Sequence, residues 1–261
     1  MNSLEEKTKA FQKMLKIMDD IRVGCPWDKE QTFETLRSMT IEETYELSDA
    51  ILDNDIDAIK KELGDLFLHI TFYSKIASEK QQFDIADVIN SIAEKIIYRH
   101  PHVFGDTDVS NSEDVKKNWE ELKLKEKGSK GKVLDGIPKS MPSIIKAMRM
   151  QEKARGVGFD WEHKEQVWEK VKEELSEFEE EVKNNDKEKM ENEFGDLLFS
   201  LINAARLYGI NPDNALEKTN KKFFKRFNYL EENTLKKGLS LKDMSLEEME
   251  VIWQKSKEKG F

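Results

Sequence analysis

Cysteine, proline and glycine are scarce in this sequence, with 1, 5 and 12 residues among 261. The one cysteine, Cys25, excludes an intramolecular disulfide framework, and without an evident histidine partner it favours a packing role over a nucleophilic one. The sequence also lacks a signal peptide and any apolar run of transmembrane length. We therefore expect a cytoplasmic protein with no membrane partner.

The balance of charge is acidic, with 43 Lys and Arg against 53 Asp and Glu and a formal net charge of −10. A nucleic-acid surface needs a concentrated basic face, so this balance argues against a nucleic-acid partner. It leaves open a phosphate-bearing small molecule held through a metal ion. Charged residues make up 37% and hydrophobic residues 38% of the chain. With few helix breakers, this composition predicts an all-α fold of long helices with solvated outer faces.

Four acidic residues stand in two pairs on the two arms of a predicted helical hairpin. Residues three apart share a helix face, so Glu174 and Glu177 point one way on the first arm. Glu193 and Asp196 do the same on the second arm, and the polar segment 184–186 between the arms is a turn signal. The inner acid of each pair stands about 12 Å along the helix from the middle of this turn. Antiparallel packing of the arms would bring the four carboxylates together.

Four carboxylates in one place repel each other and resist burial unless a cation compensates them. Oxygen-only ligands, with water in the remaining positions, suit Mg²⁺, with Mn²⁺ as a substitute, better than zinc. The sequence therefore predicts metal ligands at Glu174, Glu177, Glu193 and Asp196. A metal ion there would screen a triphosphate and lower the pKa of a bound water, which suits hydrolysis of a phosphoanhydride without a protein nucleophile.

The acidic hairpin occurs twice in the chain. Acids stand 131 positions before each of the four, at Glu43, Glu46, Glu62 and Asp65, and a second turn signal, 53–55, lies midway between them. We interpret the chain as an internal duplication that gives two tandem helical domains, each with a four-helix-bundle type core. The four earlier acids form a second predicted metal site.

A charged segment that contains glycine marks the join between the two repeats. We predict an N-terminal domain at 1–127, a linker at 128–140 and a C-terminal domain at 141–261. Apolar spacing and cap signals predict helices at about 3–21, 41–52 with Thr40 as the cap, 56–78, 84–98, 143–155 and 214–233.

Basic residues recur together with the acids. Lys95 and Arg99 share a helix face in the first repeat, and Lys222 and Arg226, 127 positions later, share one in the second. A Lys/Arg pair is usually part of a solvated face, but its recurrence beside both acidic hairpins favours phosphate-binding side chains. Trp253 is expected to pack in the core, as most tryptophans do. The alternative is that it forms a lid that stacks on a base.

Other protein classes fit the sequence less well. His69 follows Asp65 by four residues, but Ser200 stands at its duplicated position, so a packing or hydrogen-bonding role is favoured. The His-Pro-His segment at 100–102 indicates a structural turn. A di-iron carboxylate bundle needs Glu-x-x-His pairs, which neither hairpin contains. A metal-stabilised helical interaction protein without enzymatic activity is the alternative to a hydrolase.

Seven motifs along the chain carry a family resemblance. They are Gly-Cys-Pro-Trp-Asp-Lys-Glu-Gln-Thr-Phe from Gly24, Glu-Glu-Thr-Tyr-Glu from Glu42, Glu-Leu-Gly-Asp from Glu62, Arg-His-Pro-His-Val-Phe from Arg99, Val-Gly-Phe-Asp-Trp from Val157, Glu-Phe-Gly-Asp from Glu193 and Lys-Phe-Phe-Lys-Arg-Phe from Lys222. They resemble the MazG family of nucleoside triphosphate pyrophosphohydrolases, whose signature is Glu-Glu-x-x-Glu followed by Glu-x-x-Asp. The resemblance implies an all-α fold that dimerises through its helices and depends on Mg²⁺. It also implies conversion of ribo- or deoxynucleoside triphosphates to the monophosphate and diphosphate, as house-cleaning of nucleotide pools.

By this resemblance the C-terminal domain is the competent one, with the metal at its four acids. Nucleotide and phosphate contacts are implied just before each acidic motif and on the last helices, at Lys170, Val171, Lys172, Glu173, Lys189, Met190, Glu191, Asn192, Lys222, Arg226 and Trp253. The first domain keeps its acids as well as Lys95 and Arg99, and we expect it to be weakly active or structural. The expected partners are a nucleoside triphosphate and a second copy of the chain.

Overall fold

The computed structural model describes residues 1–111, 114–115, 118–119, 122, 132–236, 238 and 240–260. It divides into two compact units, Met1–Ser110 and Asn111–Phe261. All regular structure in the described residues is helical, which confirms the all-α prediction. No helix in these ranges has the length and hydrophobicity needed to cross a membrane. The predicted domain end at 127 and the first part of the predicted linker, 128–131, lie outside the described residues, so these bounds stay predictions.

The first unit contains α1 (Leu4–Gly24), α2 (Pro26–Glu30), α3 (Phe33–Asp53), α4 (Ile56–Glu79), α5 (Ile85–Arg99) and α6 (Pro101–Phe104). Polar side chains cap the helix starts, since Ser3 and Glu6 form a capping box on α1 and Asp84 accepts from two backbone N–H groups of α5. Helices α1, α3 and α4 share an apolar core made by Met18, Leu36, Phe72 and Ile76.

The start of α3 corrects one prediction from the sequence. Thr40 is not a helix cap, because α3 begins at Phe33 and its cap is Thr32, whose Oγ1 accepts from the Thr35 N–H. Thr40 lies inside the helix, where its hydroxyl donates to the Leu36 carbonyl at 3.0 Å. The capping-box spacing is ambiguous for this reason: a threonine in a helix interior can bond the carbonyl four residues back.

The second unit contains α7 (Ser143–Arg155), α8 (Val167–Asn184), α9 (Lys187–Leu207), α10 (Pro212–Leu235) and α11 (Leu246–Glu258), with short 3₁₀ turns at Lys164–Gln166 and Leu241–Asp243. Helices α8 and α9 pack against each other over a core made by Val167, Val171, Leu197 and Ala204. Helix α7 packs on α9 and α10, and α11 packs on α10. The second acidic hairpin is thus the centre of its unit.

The two acidic hairpins turn in the same way. Asn54, between α3 and α4, and Asn185, between α8 and α9, have φ angles of 55° and 56°. Asparagine visits this left-handed conformation more readily than most residues. Asp55 and Asp186 then cap the second arms by accepting from the backbone N–H three residues on. Because both arms start at matching points, equivalent side chains stand at equivalent heights in the two hairpins.

Candidate metal and substrate site

The second hairpin brings three of its four predicted acids together. One carboxylate oxygen from each of Glu174 and Glu177 on α8 and Glu193 on α9 lies within 4.8 Å of the other two. Glu174 is buried, Glu193 is half-buried and Glu177 is exposed, so the cluster opens to solvent on one side. Asp196, which is exposed, lines a cavity together with Glu174. The role of these acids as metal ligands stays a prediction.

Negative charge at this cluster is only partly compensated. The Lys170 Nζ lies 2.8 Å from Glu173 Oε1 and 2.7 Å from Glu174 Oε1, and these hydrogen bonds raise the pKa of Lys170. Loss of hydration and the neighbouring Glu174 carboxylate raise the pKa of Glu177. A raised carboxyl pKa marks a place where additional positive charge is favourable, and a divalent cation provides that charge.

The first hairpin holds a matching cluster. One oxygen from each of Glu43, Glu62 and Asp65 lies within 4.8 Å of the other two, and Glu62 is buried. The ammonium group of Lys61 reaches into this cluster. Its Nζ lies 3.0 Å from Glu62 Oε1, 3.6 Å from Asp65 Oδ2 and 3.9 Å from Glu46 Oε2. Lys61 therefore supplies a cation that contacts acids of both arms, α3 and α4.

Lys61 has no basic counterpart in the second hairpin. The residue 131 positions later is Asn192, which is neutral and exposed. Lys170 differs from Lys61 because the carboxylates beside it, Glu173 and Glu174, both belong to its own helix. The two clusters therefore share their acids but differ in built-in charge. In the first hairpin a metal ion would compete with the Lys61 ammonium group for acids of both arms. In the second hairpin the side chain at the equivalent position is neutral and does not compete for them.

A cavity of about 720 Å³ lies beside the second acidic cluster. Its lining is mostly apolar and includes Met150 and Val167, while Asp160, Glu174 and Asp196 contribute carboxylates. The lining comes from α7, α8 and α9 and from two connecting segments, 133–134 and 157–161. Small-molecule sites are typically clefts of about 300–1,000 Å³ with apolar walls and a few polar groups, and this cavity fits that description.

Two long-range interactions hold the connecting segments in the cavity wall. Lys153 is buried, and its Nζ donates to the Val133 carbonyl at 2.8 Å and to the Asp135 carbonyl at 3.0 Å. Arg206 on α9 forms a two-pronged ion pair with Asp160 in the loop after α7. Burial opposes the charged form of Asp160, but hydrogen bonds from Arg206 and a backbone N–H outweigh it and hold its pKa below the usual value.

The predicted substrate residues near the acidic motifs are spread over several environments. Lys170 lines the cavity, whereas Val171 is buried in the core between α8 and α9. Lys189 lies 3.8 Å from the carboxylates of Glu181 and Asp186, close to the hairpin turn. Met190 is half-buried, and the remaining four are exposed: Lys172, Glu173, Glu191 and Asn192.

The last two helices carry the remaining predicted contacts. Lys222 is exposed and Arg226 is half-buried on α10. Trp253 on α11 is half-buried, and its ring centroid lies 5.2 Å from that of Phe223 on α10. Phe223 is itself 57% exposed, so this contact lies near the surface, and the packing role and the base-stacking role of Trp253 both stay predictions. In the first unit the corresponding cations have the same exposure: Lys95 is exposed and Arg99 is half-buried.

Comparison with known families identifies the class of protein. A family model described as the MazG nucleotide pyrophosphohydrolase domain matches residues 31–104 and again 162–230. Each match contains one of the acidic hairpins, as expected for an internal duplication. The chain therefore belongs to the MazG family, which confirms the resemblance carried by its motifs.

Relatives that span nearly the whole chain sharpen this assignment. The nucleoside triphosphate pyrophosphohydrolase of Escherichia coli (strain K12) is 42% identical over 254 residues, which cover 95% of this chain and 97% of that protein. The nucleoside triphosphate pyrophosphohydrolase/pyrophosphatase MazG of Thermotoga maritima is 42% identical over 257 residues, covering 97% of this chain and 98% of that protein. An uncharacterized protein of Bacillus subtilis, YabN, is 47% identical over 90% of this chain and 48% of its own length.

Proposed function

We propose that this chain hydrolyses ribo- or deoxynucleoside triphosphates to the monophosphate and diphosphate. The observation that carries the proposal is the carboxylate cluster of Glu174, Glu177 and Glu193, whose oxygens lie within 4.8 Å of one another. Two relatives of matching length are named nucleoside triphosphate pyrophosphohydrolases, which adds support. In this proposal the protein is a cytoplasmic enzyme that clears surplus or aberrant triphosphates from the nucleotide pool.

Mg²⁺ is the proposed cofactor, with Mn²⁺ as a substitute. The donor set at the second hairpin is entirely oxygen, which suits these hard cations. Loss of hydration and acidic neighbours raise the pKa of Glu177. Carboxylates without enough positive charge beside them have this effect on one another. The ion would be held by the four acids of this hairpin: Glu174, Glu177, Glu193 and Asp196. When bound, it neutralises triphosphate charge and lowers the pKa of a water molecule that serves as the nucleophile.

Basic side chains of the chain complete the proposed site. Lys170 lies beside Glu174 and lines the cavity, so its ammonium group can contact a phosphate placed near the acids. Lys222 and Arg226 are assigned to further phosphate contacts and Trp253 to the nucleotide. The segments that precede the two acidic motifs, 170–173 and 189–192, contribute the remaining substrate contacts, apart from Val171, whose side chain lies in the core.

The first hairpin is assigned a weaker second metal site at Glu43, Glu46, Glu62 and Asp65, with Lys95 and Arg99 available for phosphate. Lys61 already contacts acids of both arms there, so a metal ion must displace its ammonium group. The N-terminal domain, 1–127, is accordingly structural or weakly active beside an active C-terminal domain, 141–261.

Ligand-induced melting distinguishes this enzyme from a metal-stabilised helical scaffold. A hydrolase is expected to melt at a higher temperature with Mg²⁺ plus an α,β-methylene triphosphate than with Mg²⁺ alone. At a ligand concentration 100 times its dissociation constant, the added stability is about 2.7 kcal/mol. A scaffold would gain its stability from Mg²⁺ alone. No further rise on adding the triphosphate analogue would therefore favour the scaffold.

Both hairpins expose apolar side chains at equivalent positions. Leu63 and Ile70 on α4 correspond to Phe194 and Leu201 on α9, and all four are between 40% and 52% exposed. Apolar faces of this kind gain stability when a second surface removes them from water. We assign these faces to the interface with a second copy of the chain, which gives a homodimer.

Leu201→Glu is expected to weaken such a dimer at least about 10-fold, because association would bury a carboxylate without a partner. Sedimentation equilibrium over a range of concentrations measures the shift toward the monomer mass. Leu4→Glu, on an 81% exposed side chain of α1, is the matched control and is expected to leave the mass unchanged. A monomeric parent chain, or equal masses for parent and Leu201→Glu, would contradict the assignment.

A further inference from the structure

The face of α9 that lines the cavity carries a polar side chain well beyond the acidic cluster. Asp196 and Asn203 both line the cavity, and they are seven residues apart on α9. Seven residues are about two helix turns, so the two side chains share a face and stand about 10 Å apart along the helix axis. Asn203 is half-buried rather than buried, so a ligand in the cavity can reach its side chain.

Arg206 determines which end of the Asn203 amide is offered to a ligand. Its Nε and Nη2 donate to Asn203 Oδ1 at 3.0 Å and 2.7 Å. A guanidinium group can only donate, so the amide oxygen must face it and Nδ2 is the atom that remains. Arg206 is held in turn by its ion pair with Asp160. Nδ2 itself donates to no acceptor within the described residues. Asn203 therefore presents N–H groups in a fixed orientation.

The equivalent position in the first hairpin carries no donor. The residue 131 positions before Asn203 is Phe72, which is 2% exposed and belongs to the apolar core of the first unit. The residue 131 positions before Arg206 is Lys75, whose Nζ pairs with Asp19 at 2.6 Å. The acids recur in both hairpins, whereas the Asn203–Arg206 pair does not. A requirement of the hairpin fold therefore does not explain Asn203, and a role at the cavity does.

The spacing along α9 fits the length of a nucleotide. In the proposed site the phosphates lie at the acids, so the sugar and base extend from Asp196 along the cavity. The separation of about 10 Å from Asp196 to Asn203 is comparable with the distance from the α-phosphate of a nucleotide to the edge of its base. Phe199 lines the cavity as well and provides apolar surface for a flat ring. The volume of about 720 Å³ accommodates a nucleoside.

We infer that this cavity receives the nucleoside of the triphosphate, and that Asn203 Nδ2 positions it by donating a hydrogen bond to an acceptor on the edge of the base. The inference rests on the proposed function, since it places the phosphates at the hydrolytic acids. The bases all carry edge acceptors, so this bond orients the base without selecting one. Loss of the N–H leaves that acceptor unpaired in the complex, which lowers affinity about 10-fold.

Ligands that differ only in the base test this contact. Calorimetry with Mg²⁺ gives dissociation constants for the α,β-methylene triphosphates of uridine and adenosine, and for an abasic analogue with hydrogen in place of the base. Asn203→Asp keeps an acceptor for Arg206 but has no N–H, and Asn203→Leu removes the N–H without adding charge. In both variants the affinity for each nucleotide, relative to the abasic analogue, is expected to fall about 10-fold. Met150→Leu, elsewhere in the lining, is expected to keep the parent ratio.

Three results would overturn the inference: equal affinities of the parent chain for nucleotide and abasic analogue, a ratio that either folded Asn203 variant leaves unchanged, or no binding of any analogue at millimolar concentration. Circular dichroism and melting establish that the variants are folded, and the aspartate variant covers a failure of the leucine variant. Diphosphate release from UTP and ATP by the parent chain is scored separately. The expected fall in ratio without release refutes the proposed function alone, and release with an unchanged ratio refutes the role of Asn203 alone.

Discussion

Glu193→Gln is expected to lower the rate of diphosphate release from a nucleoside triphosphate by about 1,000-fold. The amide keeps the size of the side chain but removes the charge that Glu193 brings from α9 to the cluster with Glu174 and Glu177. Metal binding and stabilisation of the reacting phosphoryl group are lost together. A coupled assay for diphosphate at saturating Mg²⁺ measures the effect.

The matched control for this variant is Glu62→Gln, which makes the same change 131 positions earlier. We expect the control to retain most of the rate, because Lys61 contacts acids of both arms of the first hairpin and disfavours a metal ion between them, whereas Lys170 contacts only acids of its own helix. Comparable losses in both variants would indicate two working sites and would contradict the assignment of the chemistry to the second hairpin.

Asn192→Lys is expected to weaken Mn²⁺ or Mg²⁺ binding at the second hairpin about 10-fold to 100-fold. The substitution copies Lys61, whose Nζ contacts acids of both arms in the first hairpin, into the equivalent position of the second. An ammonium group there competes with the metal for the same carboxylates. Calorimetric titration with Mn²⁺ measures the change in affinity.

The reciprocal substitution, Lys61→Asn, is expected to strengthen metal binding at the first hairpin, and it is best measured in a Glu193→Gln background, where the second site is weakened. Asn184→Lys is the control for added charge alone, because Asn184 is an exposed residue at the turn end of α8. Equal losses of affinity in Asn184→Lys and Asn192→Lys would show a general effect of charge and would contradict a local competition.

Local signals in the sequence account for most of the fold and for the acidic cluster. Acids three apart must share a helix face, and the Asn-Asp pairs at the two turns, Asn54-Asp55 and Asn185-Asp186, supply both the left-handed turn residue and the next helix cap. The prediction of Thr40 as a cap was wrong because it rested on residue spacing alone, and a threonine inside a helix can also donate to the carbonyl four residues back.

The cavity could not be predicted because tertiary contacts form its walls. Lys153 holds the segment at Val133 through two backbone carbonyls, and Arg206 holds the loop at Asp160. These contacts join residues far apart in the sequence, and helical periodicity predicts only contacts within one helix. The charge difference between the hairpins was readable, however. Comparing all residues at the 131-position offset, rather than the acids alone, pairs Lys61 with Asn192.

Phosphorus NMR of the products formed from a panel of ribo- and deoxynucleoside triphosphates with Mg²⁺ directly tests whether the chain is a pyrophosphohydrolase. We expect equal amounts of the nucleoside monophosphate and diphosphate, with no reaction after EDTA is added. Formation of a nucleoside diphosphate with orthophosphate, or no product from any triphosphate, would contradict this activity.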